Sequence, residues 1–460
     1  MKLLVKPSNA GVSPVREIAL KLIYDVNEKG AYANLALDKA LSASDLSISE
    51  KRKVSEIVNG SIRMTKRLDW VLNLFLKQEV GKQHPWVRNI LRMAVYQLLM
   101  MDKVADYACV NEAVQLTRLK SRQEVLVRVV NGVLRSIIRK KKEIEWPEDP
   151  IEYLATYYSH PEWIVELFLD LYGASQVENI LKYNNRPAPL VFRNNELLGS
   201  RGELIRALEA EETVCSPSIN TPWGVNVTRL NNSIANLSSY QQGRFYVQND
   251  ASMLAAPILN PQSGERVYDL CAGVGGKTTH LAEYMKNEGN IWAYDIFGPK
   301  IDMLQHNCRR MGITIVQPRL QSVLELEPDL PLARRILLDA PCSGLGVLNR
   351  RADARFRKDL KDMGQLFGLQ SGLLRKAVDL LEPEGLLLYS TCTINPPENQ
   401  EQILSLLEEG KVVLEGFADS LSFWGLDAED REQAAQGLLT LLPGKYYTDG
   451  MFYALMRRKN

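Results

Sequence analysis

Short apolar runs alternate with helical patterns from Arg266 onward, and this alternation limits the possible folds more than any other feature of the chain. The runs RVYDLCA, NIWAYDI, ITIVQP, RRILLDAP and GLLLYSTC read as strands, and segments with apolar residues at helical spacing separate most of them. Strands that alternate with helices form a parallel sheet with helices on both faces. We therefore predict an α/β domain with a doubly wound, parallel-rich sheet, closed by the strand MFYALMRR.

Two cysteines stand just beyond the ends of two of these strands. Cys342 follows Asp339 in RILLDAPCSG, and Cys392 ends the run GLLLYSTC. Open α/β sheets bind their ligands at the carboxyl ends of the strands, so both thiols fall where chemistry is done. A single cysteine is most often a small buried apolar residue, but two at matching strand ends favour a reactive site.

A thiolate at such a strand end fits the covalent activation of a pyrimidine. When a thiolate adds to carbon 6 of cytosine, carbon 5 becomes electron-rich enough to attack an activated methyl group. The pKa of a free thiol is about 8.5, so the site must lower that pKa or supply a base. A carboxyl group such as Asp339 could stabilise the cytosine edge as charge develops, although an aspartate at a strand end can also be purely structural.

A glycine-rich turn follows the first strand and is the predicted cofactor site. Gly273, Gly275 and Gly276 let the backbone approach a ligand, and the next helix offers free N–H groups. Asp295 ends the second strand, close to the spacing at which an acid reaches ribose hydroxyls, which favours a nucleoside-containing cofactor. The ending GGKTT suggests a phosphate loop instead, but Cys271 stands where that motif needs glycine.

The N-terminal part of the chain is helical and basic. Apolar residues recur at helical spacing from Ser13 to about Lys142, which predicts an all-α bundle. Residues 1–142 carry 26 Lys and Arg against 13 Asp and Glu, and the remainder carries 30 against 42. This asymmetry favours a nucleic-acid platform joined to an enzyme, although a solvated basic face without a partner is the alternative.

The domain boundaries follow from changes in pattern. The segment KKKEIEWPEDP switches charge sign and contains two prolines, which predicts a linker at 142–150. We expect a helical RNA-binding domain over 1–142, a linker and α+β lead-in over 143–255, and a catalytic domain over 256–460. In the lead-in, His160 beside Pro161 is more typical of packing or capping than of a catalytic base.

Cysteine usage and hydropathy suggest the compartment. The six cysteines stand singly, in neither a disulfide framework nor a zinc pattern, which indicates reduced thiols and no metal. No stretch approaches the apolar length of a membrane span, and the N-terminus lacks the pattern of a secretory signal. We expect a soluble cytoplasmic protein, a monomer without membrane contact.

The motifs together closely resemble bacterial 16S rRNA (cytosine-C5) methyltransferases of the Sun/RsmB type, which join a NusB-like helical domain to a Rossmann-like catalytic domain. The resemblance rests on RLDWVLN, VYQLL and VNGVLR, on HPEW, FRNN and VQNDAS, and on DLCAGVGGKTTHL, LLDAPCSGLGV, YSTCTINPPEN and LLPGKYYTDGMFYA. It implies transfer of a methyl group from S-adenosyl-L-methionine to carbon 5 of a cytosine in 16S rRNA or a small-subunit assembly intermediate.

The resemblance also assigns roles to residues. It implies that Cys392 is the nucleophile, that Cys342 assists product release, and that Asp339 lies between cytosine and cofactor. The cofactor contacts that it implies are Cys271, Ala272, Gly273, Val274, Gly275, Gly276, Lys277, Asp295 and Asp339.

This chain departs from the family pattern at two places. Gly273 and Val274 replace the usual alanine and proline, which predicts a more flexible turn and weaker cofactor binding. The segment VQPRLQSV lacks the acid that the family places after the third strand, and Gln321 is the nearest polar substitute by spacing.

Two other functions remain open at this point. One is a related methyltransferase acting on tRNA or another RNA, against which the NusB-like domain argues. The other is a non-catalytic RNA-binding assembly factor that kept the fold and lost turnover through the altered cofactor turn.

Overall fold

The structure, a computed structural model, describes residues 11–102, 104–327 and 329–460. These residues form two compact units. The first contains the described chain up to Pro187 together with Leu348–Arg357, and the second contains Ala188–Val347 and Lys358–Asn460. The predicted linker at 142–150 lies within the first unit, and the first ten residues of the predicted helical domain lie outside the described range.

The first unit is helical, as the apolar spacing predicted. Its helices are α1 (Pro14–Lys29), α2 (Ala33–Ser42), α3 (Ile48–Arg63), α4 (Thr65–Phe75), α5 (Pro85–Met100), α6 (Asp106–Ser121), α7 (Glu124–Lys140), α8 (Pro150–Tyr157) and α9 (Glu162–Asn184). Local signals fix several ends: Pro14 opens α1, Gly30 at φ 70° closes it, and Ser47 with Glu50 forms a capping box at the start of α3.

Helix α7 illustrates how the basic surface arises. Its buried face presents Val127, Val130, Leu134 and Ile137, which recur at three- and four-residue spacing and join the core of the unit. Arginines of the same helix, Arg128, Arg135 and Arg139, are exposed. The predicted basic face is therefore present on α7.

The segment Leu348–Arg357 is held in the first unit by a buried arginine. The Arg355 side chain is fully buried, and its guanidinium donates to the carbonyl oxygens of Ser159 (3.1 Å) and Asn184 (2.8 Å) and to the side-chain oxygen of Asn185 (2.8 Å). A buried charge is costly unless hydrogen bonds replace its hydration, and these three acceptors do so in part.

The second unit begins with a small α+β region, which covers only the part from Ala188 onward of the lead-in predicted over 143–255. It contains β1 (Leu190–Asn194), α10 (Arg201–Ala210), β2 (Val214–Pro217), β3 (Gly224–Arg229), α11 (Ser238–Gln241), β4 (Phe245–Val247), α12 (Asp250–Met253) and α13 (Ala255–Leu259). The four strands form an antiparallel sheet in the order β2-β3-β1-β4, and Phe192 stacks on Phe245 beneath it.

A large mixed sheet with flanking helices follows. Its elements are β5 (Arg266–Asp269), α14 (Gly276–Tyr284), β6 (Asn290–Asp295), α15 (Gly298–Met311), β7 (Val316–Leu320), β8 (Ala333–Asp339), α16 (Leu360–Asp379), β9 (Leu381–Thr391), α17 (Gln400–Glu408), β10 (Val412–Leu414), α18 (Ala428–Ala435), β11 (Leu438–Leu441) and β12 (Met451–Arg458). The sheet runs in the order β10-β12-β9-β8-β5-β6-β7, and β11 pairs with β12. The neighbouring strands β9, β8, β5, β6 and β7 pair parallel, whereas β10, β11 and β12 pair antiparallel. This confirms the prediction of a doubly wound, mostly parallel sheet.

The sequence prediction missed two details of this sheet. β7 spans Val316–Leu320 rather than the run that starts at Ile313, and β11 was not predicted. Four residues after a charged helix and a glycine carry too short a pattern to identify β11.

The central strands β8 and β9 are buried on both faces, which explains their continuous apolar runs. Leu337, Leu338, Leu387 and Leu388 are fully buried. The parallel register pairs Leu338 with Tyr389 and Asp339 with Ser390, so both strands end at the same level.

Among the described residues, no helix combines the length and the apolarity that a membrane crossing requires. The same residues contain no group of three or more His, Cys, Asp or Glu side chains that could hold a metal ion.

Candidate active site

The two strand-end cysteines meet. The Sγ atoms of Cys342 and Cys392 lie 3.2 Å apart, as free thiols within hydrogen-bonding distance. Backbone hydrogen bonds tie their loops together, because Ala340 N donates to Ser390 O (2.9 Å) and Gly346 N donates to Cys392 O (3.0 Å). The prediction that both thiols fall at one edge of the sheet is confirmed.

The surroundings of the pair favour a thiolate on Cys392. A hydrogen bond donated by the Cys342 thiol lowers the pKa of Cys392, and the ammonium groups of Lys277 and Lys358 lower it further. The pKa of Cys342 is raised well above the ordinary value, first because its proton is engaged with Cys392, then through burial and the nearby carboxylate of Glu398. Although burial opposes ionisation of Cys392, the pKa of Cys392 lies below that of Cys342, so Cys392 is the thiol of the pair that ionises more readily.

Glu398 anchors the loop that carries Cys342. Its buried carboxylate accepts hydrogen bonds from Ser343 N (2.7 Å), from the side-chain amide of Gln370 (3.1 Å) and from that of Asn395 (3.2 Å). Gln370 also donates to the carbonyl of Pro341 (2.9 Å). The loop is thereby fixed by buried partners on its inner side.

Lys358 lies on the other side of this loop. Its ammonium donates to the carbonyl oxygen of Ser343 and, at 3.5 Å, to that of Cys342. A Cβ atom placed on Gly344 would lie 3.9 Å from both the Lys358 Nζ and the Cys392 Sγ. The glycine therefore keeps open the space between this cation and the thiol.

Asp339 forms an ion pair at the end of β8. Its Oδ1 lies 2.5 Å from the Nζ of Lys277 and accepts a hydrogen bond from the Ser390 hydroxyl at 2.8 Å. The carboxylate opposes ionisation of Cys392, whereas Lys277 supports it. The sequence placed Lys277 in the cofactor turn, and the structure brings its side chain to Asp339 beside the cysteines.

The glycine-rich turn opens onto Asp295. Gly273 has φ 57°, Gly275 has φ 92°, and a Cβ on Gly273 would meet no atom within 4 Å. Gly273 N donates to a carboxylate oxygen of Asp295 (3.1 Å), which Lys300 also pairs with (3.2 Å). The carbonyl of Val274 accepts hydrogen bonds from the Tyr246 hydroxyl (3.2 Å) and the Asn307 amide (3.0 Å), so side chains hold the turn at the position where proline is absent.

The remaining predicted cofactor residues surround the same turn. Cys271 and Ala272 begin it, Gly276 opens α14, and Gln321 donates its backbone N–H to Asp295 O (3.2 Å) while its side chain is exposed. Burial raises the pKa of the Cys271 thiol, which disfavours its thiolate form.

The sequence alone assigned no role to four residues of this edge, Asp269, Lys358, Gln370 and Glu398. Asp269 at the end of β5 accepts from the Thr278 hydroxyl (2.6 Å), and burial raises its pKa to about 7. Lys358 and Gln370 lie 16 and 28 residues after Cys342, and only their contacts identify them. Glu398 follows Cys392 by six residues in YSTCTINPPEN, but the sequence does not show that its carboxylate turns back to Ser343. For Asp269, its place in RVYDLCAG at a predicted strand end was the available signal.

Comparison with family models accounts for successive parts of the chain. Residues 256–457 match the 16S rRNA methyltransferase RsmB/F family, residues 13–139 match the NusB family, and residues 160–232 match the ferredoxin-like domain of RsmF/B-like methyltransferases. The resemblance stated from the motifs is confirmed.

Relatives match over nearly the whole chain. The probable ribosomal RNA small subunit methyltransferase B of Bacillus subtilis (strain 168) is 33% identical over 449 residues, covering 97% of this chain and 99% of that protein. The protein of the same description from Synechocystis sp. is 33% identical over 446 residues, covering 96% and 99%. The crystal structure of PH0851 superposes with a TM-score of 0.79 at 27% identity, covering 96% of this chain and 99% of that one. The chain thus belongs to the ribosomal RNA small subunit methyltransferase B family, enzymes that methylate small-subunit rRNA.

Proposed function

We propose that this protein methylates carbon 5 of a cytosine in 16S rRNA through a covalent adduct between Cys392 and the base. The observation that carries the proposal is the hydrogen-bonded pair of Cys342 and Cys392, 3.2 Å apart at the ends of adjacent parallel strands. Cys392 is the thiol of the pair that ionises more readily, and Cys342 can act as its hydrogen-bond donor. The reaction needs both roles, because one sulfur must add to the pyrimidine and must later be released from it.

Cys392 acts as the nucleophile. Its sulfur adds to carbon 6 of the cytosine, which moves electron density to carbon 5 and to the N3 and N4 edge of the ring. Lys277 and Lys358 stabilise the thiolate before attack, because both cations lower the pKa of Cys392. After methylation, carbon 5 loses its proton to water and the carbon–sulfur bond breaks.

Cys342 assists that release. The departing sulfur leaves as a thiolate, and the Cys342 thiol donates a hydrogen bond to it as it forms. The raised pKa of Cys342 keeps the proton in place for this step. Loss of Cys342 therefore leaves addition possible and slows the breakdown of the adduct.

Asp339 positions the cytosine edge beside the cysteines. Its carboxylate is held by Lys277 and Ser390, so it is fixed in orientation before a base arrives. A fixed carboxylate can accept a hydrogen bond from the N4 amino group and so hold the base in place without reorganising during the reaction.

The turn and strand ends fit S-adenosyl-L-methionine. Open space lies over Gly273, where a Cβ would meet no atom within 4 Å, and Asp295 stands at the strand end where an acid reaches ribose hydroxyls. Ile296, Phe297 and Leu320 are exposed apolar side chains at the ends of β6 and β7 and would flank the adenine, with Gln321 next to them. When bound, this cofactor supplies an electrophilic methyl group.

The substrate proposed is 16S rRNA, free or in a partial small-subunit particle. The match of residues 13–139 to the NusB family and the descriptions of the relatives support rRNA over tRNA. The exposed arginines of α7 would contact phosphates. We place this reaction in the cytoplasm and expect a monomeric enzyme.

A trapping experiment tests the proposal. The protein is incubated with S-adenosyl-L-methionine and 16S rRNA transcribed with 5-fluorocytidine, which cannot lose a proton from carbon 5, and with a fluorinated tRNA transcript as the control. A denaturant-resistant complex whose peptide linkage maps to Cys392 is expected with 16S rRNA. Attachment elsewhere, no adduct, or a preference for the tRNA would contradict the proposal, and bisulfite sequencing of rRNA from cells with and without the protein would locate the base.

A further inference from the structure

A cavity in the helical unit is lined mainly by cations and tyrosines. It measures about 400 Å³ and lies among α3, α4, α5, α8 and α9. The side chains that matter for its chemistry are Arg63, Arg67, Tyr96, Tyr158, Lys182 and Arg186. None of them belongs to the site of the two cysteines.

The cationic side chains of this cavity outnumber the carboxylates that pair with them. Lys182 pairs with Glu178 (2.8 Å), which also accepts from the Tyr158 hydroxyl (2.6 Å). Within the described residues, no carboxylate lies in ion-pair distance of Arg63, Arg67 or Arg186. The cavity therefore holds a net excess of positive charge.

Other arginines of the same unit form ion pairs with carboxylates. Arg92 lies 2.7 Å from Asp69, Arg88 donates to Glu28 at 2.7 Å, and Arg16 pairs with Glu112. These three partly buried arginines are thus paired with acids, and none of them lines the cavity. Arg63, Arg67 and Arg186 on the cavity wall lack such an acid among the described residues, as does the fully buried Arg355, which carbonyl and amide oxygens hold instead.

The two inner arginines are fixed in place by neutral groups. Arg63 donates to the carbonyl of Asn349 (3.1 Å), and Arg67 donates to the carbonyl of Tyr157 (3.2 Å). The Arg67 guanidinium also lies over the Tyr157 ring at 4.0 Å. The Nε atoms of both arginines are buried without a hydrogen-bond partner. The two guanidinium groups are therefore fixed in position, and each keeps an N–H donor without an acceptor.

Burial adds an energetic argument for an anion. Desolvation lowers the pKa of both Arg63 and Arg67, which means that the surroundings disfavour their charge. Arg355, which is fully buried, lies near enough to Arg63 for their charges to repel. A bound anion would relieve both costs at once.

We propose that this cavity binds a backbone phosphate of the RNA substrate, an inference that rests on the proposed function. The paired N–H groups of an arginine guanidinium match the oxygens of a phosphate. Arg186 and Lys182 at the rim of the cavity are exposed, so they can contact a phosphate that belongs to a polymer, whereas the inner arginines alone would admit only a free ion. The cavity lies wholly within the first unit and outside the residues that match the catalytic family model.

The test compares two charge reversals in the full-length protein. Arg186→Glu removes a rim cation of the cavity, and Arg52→Glu makes the same charge change at an exposed position of α3 outside it. Binding of 16S rRNA fragments is measured by fluorescence anisotropy over a range of salt concentrations. We expect Arg186→Glu to weaken binding about tenfold and to reduce the salt slope by about 0.7, and Arg52→Glu to change affinity by less than about twofold.

A second variant and two further measurements separate the outcomes. Arg67→Gln should weaken RNA binding in the same way, while the heat of S-adenosyl-L-methionine binding stays unchanged in all variants. Equal losses in Arg186→Glu and Arg52→Glu would overturn the proposal, even if methyl transfer proceeds normally. Loss of inorganic phosphate binding with unchanged RNA affinity would identify a free-anion site and also overturn it. If Arg186→Glu alone weakened RNA binding and the unmodified protein transferred no methyl group, the phosphate site would be supported and the proposed function would be wrong.

Discussion

The sulfur atoms of Cys342 and Cys392 lie 3.2 Å apart, within hydrogen-bonding distance of each other. The two residues stand fifty positions apart in sequence and meet because β8 and β9 are adjacent, parallel and end at the same level. One proton shared between two sulfurs makes the ionisation of each depend on the other. The four predictions that concern the catalytic edge of the sheet follow from this coupling and from the charges around it.

Replacing Cys392 with alanine should abolish methyl transfer. The loss expected is roughly 10³-fold or more, because the neighbouring thiol Cys342 has a raised pKa and is a poor substitute for the nucleophile. Transfer of labelled methyl groups to 16S rRNA measures it. Cys215→Ala, on β2, is the matched control and should keep nearly full activity. Substantial turnover by Cys392→Ala would remove this residue from the nucleophile role.

Replacing Cys342 with alanine should trap the enzyme on its substrate. Without the thiol that stabilises the leaving sulfur, the protein–RNA adduct should accumulate and appear as a band that survives denaturing electrophoresis. Cys342→Ser keeps a hydrogen-bond donor and should show less of this band. If neither variant retained RNA covalently, the release role would be wrong.

The charge of Lys358 should set the pH at which Cys392 reacts. Since this cation lowers the pKa of Cys392, Lys358→Met should raise that pKa and move the alkylation curve of the thiol to higher pH. At neutral pH the rate of alkylation by iodoacetamide should fall roughly three- to tenfold, because the thiolate fraction falls with each fraction of a pKa unit. Lys411→Met changes an exposed lysine that pairs with Asp379 and should leave the curve unmoved. Coincident curves for both variants would contradict this role.

Neutralising Asp339 should slow the reaction without unfolding the protein. Asp339→Asn loses the ion pair with Lys277 and the fixed charge beside the cytosine edge, and we expect methyl transfer to fall roughly 10²-fold. Asp379→Asn, at an exposed position, is the control for loss of one carboxylate. Single-turnover kinetics with saturating RNA would show whether the chemical step is affected, and an unchanged rate would make Asp339 structural.

Replacing Glu398 with glutamine should lower the stability of the fold and not only the rate of methyl transfer. The buried carboxylate accepts from Ser343, Gln370 and Asn395, and an amide at this position turns one acceptor into a donor facing other donors. We expect a loss of about 2 kcal/mol in the free energy of unfolding. Urea denaturation measures it, with Glu401→Gln on the exposed side of α17 as the control. Equal stabilities would show that the loop does not depend on this carboxylate.

Much of the catalytic edge was predictable because parallel strands impose simple rules. Apolar runs buried on both faces identify β8 and β9, and their ends place Asp339, Cys342 and Cys392 together. Lys358 and Glu398 were not predictable, since they approach the pair through a loop and a buried turn whose sequences have no periodicity. The sequence likewise left open which cysteine is the thiolate, because the answer depends on charges that only the fold brings near.

The segment Leu348–Arg357 marks the other limit of sequence reasoning. The run NRRADARFR is rich in arginine and looks like a solvated loop, yet Arg355 is fully buried among carbonyl oxygens of the helical unit. A charged residue is buried only when specific acceptors are brought to it, and those acceptors lie far away in the sequence. The unpaired arginines of the cavity were hidden for the same reason.

The position of β12 between β9 and β10 has a consequence for biosynthesis. While the protein is being made, β9 emerges from the ribosome well before β12, and until β12 arrives one side of β9 has no partner. An unpaired apolar edge is a template for association with other chains. The strand that leads into Cys392 is therefore also an edge of the nascent chain that needs protection from aggregation.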